Sequence, residues 1–179
     1  TPLVDDDVDA AIEVLRRASI EAVAVCFLWS FLNDTHERRV GEILVAALPE
    51  VYVSLSVDVL PEIREYDRTS TTVVNAYIGP VVRHYVRQIE AFLTTLGYRG
   101  AVRFMQSNAG LAAADEVMHR PVFALGSGPA AGPAAGLFHA RPRGRNNILT
   151  VDMGGTSFDV CLVENGEPTL TKGVDYHRY

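Results

Sequence analysis

Ile148-Leu149-Thr150-Val151-Asp152-Met153-Gly154-Gly155-Thr156-Ser157-Phe158-Asp159-Val160 is the stretch that decides the fold of this chain. An apolar, β-branched run leads into an acid and two glycines. Two hydroxyl residues follow, then a second acid and a second apolar run, Val160 to Val163. Asn165-Gly166 comes next, the strongest short-range signal for a tight hairpin turn. The pattern predicts strand, tight loop, strand, turn, strand. A loop of this kind has the parts phosphate chemistry needs: glycines that let the backbone approach oxyanions, N–H and O–H donors, and a carboxylate for a hydrated Mg²⁺. The plainer alternative is a Gly-Gly turn with solvated acids at the strand ends, and the isolated letters leave both open.

Composition narrows the classes. A length of 179 residues is enough for one domain with a proper core, and a 48% hydrophobic content disfavours disorder. The net charge of −6 argues against nucleic acid as a partner. Ala22 to Leu32, the longest apolar run, falls short of the ~20 residues that span a bilayer. No signal peptide is visible, and no membrane partner is expected. Cys26 and Cys161 lie in separate apolar runs and read as buried thiols in a reducing, cytoplasmic compartment. The histidines are scattered without ligand spacing, which disfavours zinc.

Taken in order, Asp5 to Asp7 are expected to cap a first helix, with Val8, Ile12 and Leu15 on its apolar face. Ala22 to Trp29 reads as a central parallel strand. Asn33 or Asp34 starts a second helix, and the Asp34/Glu37 spacing suggests a capping box. Val51, Val53, Leu55 and Val57 alternate with Tyr52, Ser54 and Ser56, the period of a half-exposed strand. Thr69 to Thr71 open the longest helix, whose apolar side is expected to carry Val74, Tyr77, Val81, Tyr85, Ile89 and Phe92. Gly79-Pro80 should kink or split it, and Gly97 should end it. Ala101 to Gln106 is a further short strand, expected beside the 22–29 strand in one parallel sheet. It is followed by a polar loop, Ser107-Asn108-Ala109-Gly110, where open α/β sheets bind ligands. Gly126 to Gly136 is rich in glycine and alanine and reads as a helix another backbone can approach closely.

The string from Asp152 to Val160 resembles the second phosphate loop of the actin-like ATPase superfamily. Across nearly all of its length the chain is similar to the hydantoinase A / 5-oxoprolinase family. The segments that carry this are Ala22 to Asn33 with His36-Glu37, Leu60-Pro61-Glu62-Ile63-Arg64-Glu65, Arg68-Thr69-Ser70-Thr71-Thr72 with Asn75-Ala76-Tyr77, Met105-Gln106-Ser107-Asn108, and Ser127 to Gly132. Ala109 departs from the family pattern, which has glycine there. If that position needs a positive φ, alanine costs ~1 kcal/mol and the ligand role of Ser107 and Asn108 weakens.

The resemblance implies an α/β, actin-like (ribonuclease H-like) fold in part. Residues 1–126 would be the remainder of lobe one, 127–145 a connecting helix and loop, and 146–179 the start of lobe two. It implies ATP and Mg²⁺ as cofactors. Gly154, Gly155, Thr156 and Ser157 would hold phosphate, Asp152 would hold Mg²⁺ through water, and Asp159 would position water or the metal's hydration shell. The parent would hydrolyse a cyclic amide such as hydantoin, 5-oxoproline or another lactam through phosphorylation of a carbonyl oxygen. A ketone carboxylase is the alternative within the family. A hydantoinase B-type partner subunit or fused domain is implied, and the first phosphate loop is expected outside these residues. A chaperone- or actin-like nucleotide switch without small-molecule chemistry is the rival from another class.

Overall fold

The computed structural model describes residues 2–155 and 157–169. They form two compact units, residues 2–102 with 113–122, and residues 103–112 with 123–155 and 157–169. The architecture is mixed α/β.

The first unit is built on a β-α-β turn of chain. Helix α1 (Asp5–Arg17) buries Val8 and Ile12, one turn apart. Its N-cap residue is Val4 and no side chain caps it, so Asp5, Asp6 and Asp7 act on the first-turn dipole and do not form the expected cap. Strand β1 (Ala22–Val25) and strand β2 (Tyr52–Leu55) run parallel, in register from Ala22 opposite Tyr52 to Val25 opposite Leu55. Helix α2 (Thr35–Ala47) joins them. Val8, Ile12, Val25, Val40, Leu44 and Leu48 close the core between α1, α2 and β1.

Two expectations change here. The apolar run after Ala22 is a strand only as far as Val25; Phe27 to Asn33 is a tight turn, with Ser30 N–H on Phe27 C=O and Leu32 N–H on Trp29 C=O. In β2 the buried side chains are Tyr52 and Ser54, not the valines and leucine. The hydroxyls are satisfied from a distance. Asn75 Nδ2 donates to Ser54 Oγ at 2.9 Å, and Tyr52 O–H donates to the His119 carbonyl at 2.7 Å. A buried polar group with its partners in place carries little penalty.

Helix α3 (Ser56–Val59) follows β2 directly, and α4 (Glu65–Thr95) is one continuous helix. Pro80 lies inside α4 without splitting it; only the N–H that would have met the Ala76 carbonyl is lost. Gly97, at φ 77°, ends it as expected, with Tyr98 N–H returning to the Leu93 carbonyl at 3.0 Å. The buried face of α4 is not the predicted apolar stripe. It consists of Arg68, Thr72, Asn75, Ala76, Gly79 and Val86, while Tyr77, Val81, Tyr85 and Phe92 are exposed. Helix α5 (Ala114–His119) completes the unit against α4.

Gly79 lets α4 lie on the Tyr52 ring; a Cβ there would overlap the ring itself. That ring cannot move aside easily, since its hydroxyl is bonded and the Arg83 guanidinium covers its face at 4.5 Å. Gly79→Ala is therefore expected to destabilise the chain by ~1–3 kcal/mol, read as a lower urea midpoint at unchanged m-value. Burial pushes the Tyr52 phenol up to about 12. A raised folded pKa means the unfolded chain loses this proton first, so stability should fall between about pH 10 and 12. Tyr52→Phe should remove this part of the alkaline loss, measured by denaturation across that range.

In the second unit, β3 (Arg103–Met105) pairs with β4 (Leu111–Ala113), and not with β1 as expected. Helix α6 (Ser127–Ala140) begins after a left-handed Gly126, φ 69°, and contains Pro133 without breaking. Strands β5 (Ile148–Met153), β6 (Phe158–Glu164) and β7 (Glu167–Pro168) form a separate antiparallel sheet. Gly136 is the close-approach point of α6, where a Cβ would stand 2.6 Å from Thr150 Cγ2. No helix among the described residues is long and apolar enough to cross a membrane.

Candidate functional site

The β5–β6 hairpin takes the form that its letters predict. Asp152 stands opposite Asp159 and Met153 opposite Phe158. Gly154 N–H then donates to the Ser157 carbonyl at 3.0 Å, which leaves Gly155 at the tip. The Gly154 amide is thus used within the turn and is not free for an oxyanion. Gly155 is exposed, with nothing near the position of a Cβ. Thr156 lies outside the described residues. Ser157 Oγ donates to Asp159 Oδ2 at 2.9 Å, fixing that carboxylate beside the tip. At the other end Asn165 and Gly166 have φ of 54° and 81°, the pair of positive values that a type I′ turn requires.

Side chains alternate across the hairpin, so Thr150, Asp152, Asp159 and Cys161 share the face that meets α6 through Thr150. Two carboxylates directly opposite each other repel, and a fold gains nothing from that arrangement by itself. A divalent cation removes the cost. Among the described residues no cluster of three or more His, Cys, Asp or Glu could hold a metal alone. Mg²⁺ commonly binds through one or two carboxylates and takes its other ligands from water and phosphate oxygens. Asp152 and Asp159 form a pair of that kind, with the Ser157 hydroxyl bonded to Asp159.

Ser107 and Asn108 lie on a different turn, between β3 and β4. Asn108 Oδ1 accepts from Gly110 N–H at 2.8 Å, and Ser107 N–H donates to the Phe123 carbonyl at 2.7 Å. Ala109 has φ 63°, the strained value anticipated for this position. The turn spends its Asn side chain on its own backbone.

A second polar constellation sits at the carboxyl ends of β1 and β2, and the residue pattern gave it another role. Glu37 is fully buried and accepts from Phe27 N–H at 3.0 Å, Ser56 Oγ at 3.0 Å and Val57 N–H at 2.9 Å. It takes no part in the expected capping box; Asp34 pairs with Arg38, and Asn33 Oδ1 receives the Thr35 N–H at 3.1 Å. Arg68, also fully buried, donates to Ser30 Oγ, to Ser56 Oγ at 3.1 Å, to the Phe27 carbonyl at 2.7 Å and to Glu65. Both residues lie in motif segments quoted above, so the signal was the motif and not the local spacing.

Comparison with known proteins places these residues in context. The family model described as "Hydantoinase/oxoprolinase" matches residues 68–179, and that of the "Hydantoinase/oxoprolinase N-terminal region" matches residues 1–48. The chain is 46% identical to the caprolactamase subunit alpha of Pseudomonas jessenii over all of its own length and 26% of that protein's. It is 33% identical to the 5-oxoprolinase of Saccharomyces cerevisiae, over 95% of this chain and 13% of that one. Among solved structures it is similar to nucleotide-free acetone carboxylase, from work on ATP-dependent acetone carboxylation. The TM-score is 0.79 at 30% identity, covering 93% of this chain and 24% of the other. The chain thus spans about a quarter or less of the relatives it matches.

Proposed function

Since this chain belongs to the hydantoinase/oxoprolinase family, we propose that it is part of an ATP-dependent enzyme that hydrolyses a cyclic amide. The observation that carries this is the Asp152/Asp159 pair at the mouth of a glycine-tipped hairpin, within the stretch matched by the family model. ATP, when bound, supplies the phosphoryl group that converts an unreactive amide carbonyl oxygen into one that can be displaced. This chain's residues do the holding. Asp152 would hold hydrated Mg²⁺, and Asp159, oriented by the Ser157 hydroxyl, would position a water of its shell. Gly155 and Thr156 would hold phosphate oxygens. Work of this kind is charge stabilisation and positioning.

A lactam is the first choice of substrate because the caprolactamase subunit matches this chain end to end. The structural likeness to acetone carboxylase keeps a ketone as the second choice. A partner subunit fits the naming of the caprolactamase relative as one subunit of an enzyme. Residues 1–126, 127–145 and 146–179 would be the remainder of lobe one, the joining helix and the start of lobe two of an actin-like fold. The test uses the full-length protein with its partner subunit. Phosphate release from ATP is followed with caprolactam, 5-oxoproline, or acetone with bicarbonate, alongside product analysis. Lactam-dependent release with a ring-opened amino acid supports the hydrolase. Ketone-dependent release identifies the carboxylase, and turnover indifferent to every small molecule leaves only a nucleotide switch.

A further inference from the structure

The motif residues Glu37, Glu65 and Arg68 all belong to the first unit, and their arrangement has its own logic. Between them they hold one short turn at four points. Phe27 donates its N–H to Glu37 while its carbonyl accepts from Arg68, Trp29 donates its N–H to Glu65 Oε1 at 3.1 Å, and Ser30 Oγ accepts from Arg68. Glu65 is itself bound to Arg68 through its second oxygen. The turn so held is strained: Trp29 has φ 62°, which a bulky side chain rarely adopts. Arg64, next to Glu65, also has a positive φ, 92°. The turn follows β1 directly and stands at the carboxyl ends of the parallel strands. Trp29 is 60% exposed there.

Stability alone does not account for this construction. A fully buried guanidinium is expensive to desolvate, and well-packed apolar residues often replace such a group without loss. Here Arg68 also keeps its buried Nε without a partner among the described residues. What the apolar replacement cannot do is hold four polar backbone and side-chain groups in one geometry. Strained, over-determined backbone is typical of segments whose shape matters to function.

We propose that Arg68, acting through Glu65 and Ser30, is a positioning residue that presets the Phe27–Ser30 turn and holds Trp29 outward in its left-handed conformation. The turn is then rigid before it meets anything, and Glu65 is the link that carries the constraint from the buried guanidinium to the exposed tryptophan. This inference is independent of the reaction proposed above.

Trp29 is the only tryptophan of the chain, so its fluorescence reports on this turn alone. The experiment compares the wild-type chain with Glu65→Ala and Arg68→Lys, by Trp29 fluorescence anisotropy and by site-resolved amide hydrogen exchange. Glu65 is 38% exposed, so water can reach the place its carboxylate leaves beside Arg68. In Glu65→Ala the anisotropy should fall, and Trp29 N–H exchange should accelerate about tenfold, while Phe27 N–H, held by Glu37, stays at its wild-type rate. In Arg68→Lys, which keeps a charge but loses the fork, Phe27 to Ser30 should all loosen before β1 and β2 do. Wild-type anisotropy and exchange at Trp29 in Glu65→Ala would overturn the proposal. So would uniform acceleration across β1 and β2 in Arg68→Lys, which would make Arg68 a stability element only.

Discussion

Glu37→Ala is expected to cost about 3–5 kcal/mol. The carboxylate is fully buried and takes three hydrogen bonds, from Phe27 N–H, Val57 N–H and Ser56 Oγ. Alanine leaves two backbone donors and a hydroxyl in the interior without acceptors, and each such orphan costs roughly 1–3 kcal/mol. It also removes a negative charge from beside the Arg68 guanidinium, to which it is linked through Ser56. Glu65 is then the remaining counter-charge bonded to Arg68, and it is partly in water. Glu37→Gln should cost roughly half as much, because one oxygen survives while the new amide group faces donors. Urea denaturation of the three proteins decides it: a midpoint for Glu37→Ala within about 1 kcal/mol of wild type would mean that water replaces these bonds freely.

How far the letters predict this chain depends on how far each residue's partner is along it. The Asn165-Gly166 turn is set by the φ values of two adjacent residues, and the structure has both of them positive. The stop at Gly97 is equally local. Asp34 and Glu37 illustrate the opposite case. Their spacing fits a capping box, yet Glu37 is taken by Ser56 and Val57, about twenty positions away. In β2 the alternation was present but its sense was reversed, because Tyr52 and Ser54 find Asn75 and His119 far down the chain. The same partners bring the polar side of α4 inward and leave Tyr77 and Tyr85 outside. A periodicity argument assumes that apolar residues define the core, and it fails where a polar network takes their place. The hairpin was legible for a further reason: its faces, register and turns are all fixed within twenty residues.

The hairpin also yields the sharpest functional expectation. Asp152→Asn should leave the fold standing and make the hairpin slightly more stable, by about 0.2–1 kcal/mol, because a neutral amide then faces Asp159 across the strands. Asparagine has nearly the same shape, so β5 and β6 keep their register. In the full-length enzyme the same change should lower kcat by about 100-fold or more, with a small change in KM. The reasoning follows from where the charge is needed. A carboxylate that anchors Mg²⁺ contributes most when negative charge builds up on the phosphate oxygens, which is in the transition state and not in the bound ground state. Stability and turnover therefore move in opposite directions, a combination that a purely structural acid cannot produce. Thermal unfolding of the chain and steady-state kinetics of the full-length protein supply the two readouts. If Asp152→Asn lowers stability by more than about 1 kcal/mol, the carboxylate belongs to the scaffold. If kcat is unchanged, the hairpin is only a turn between two strands.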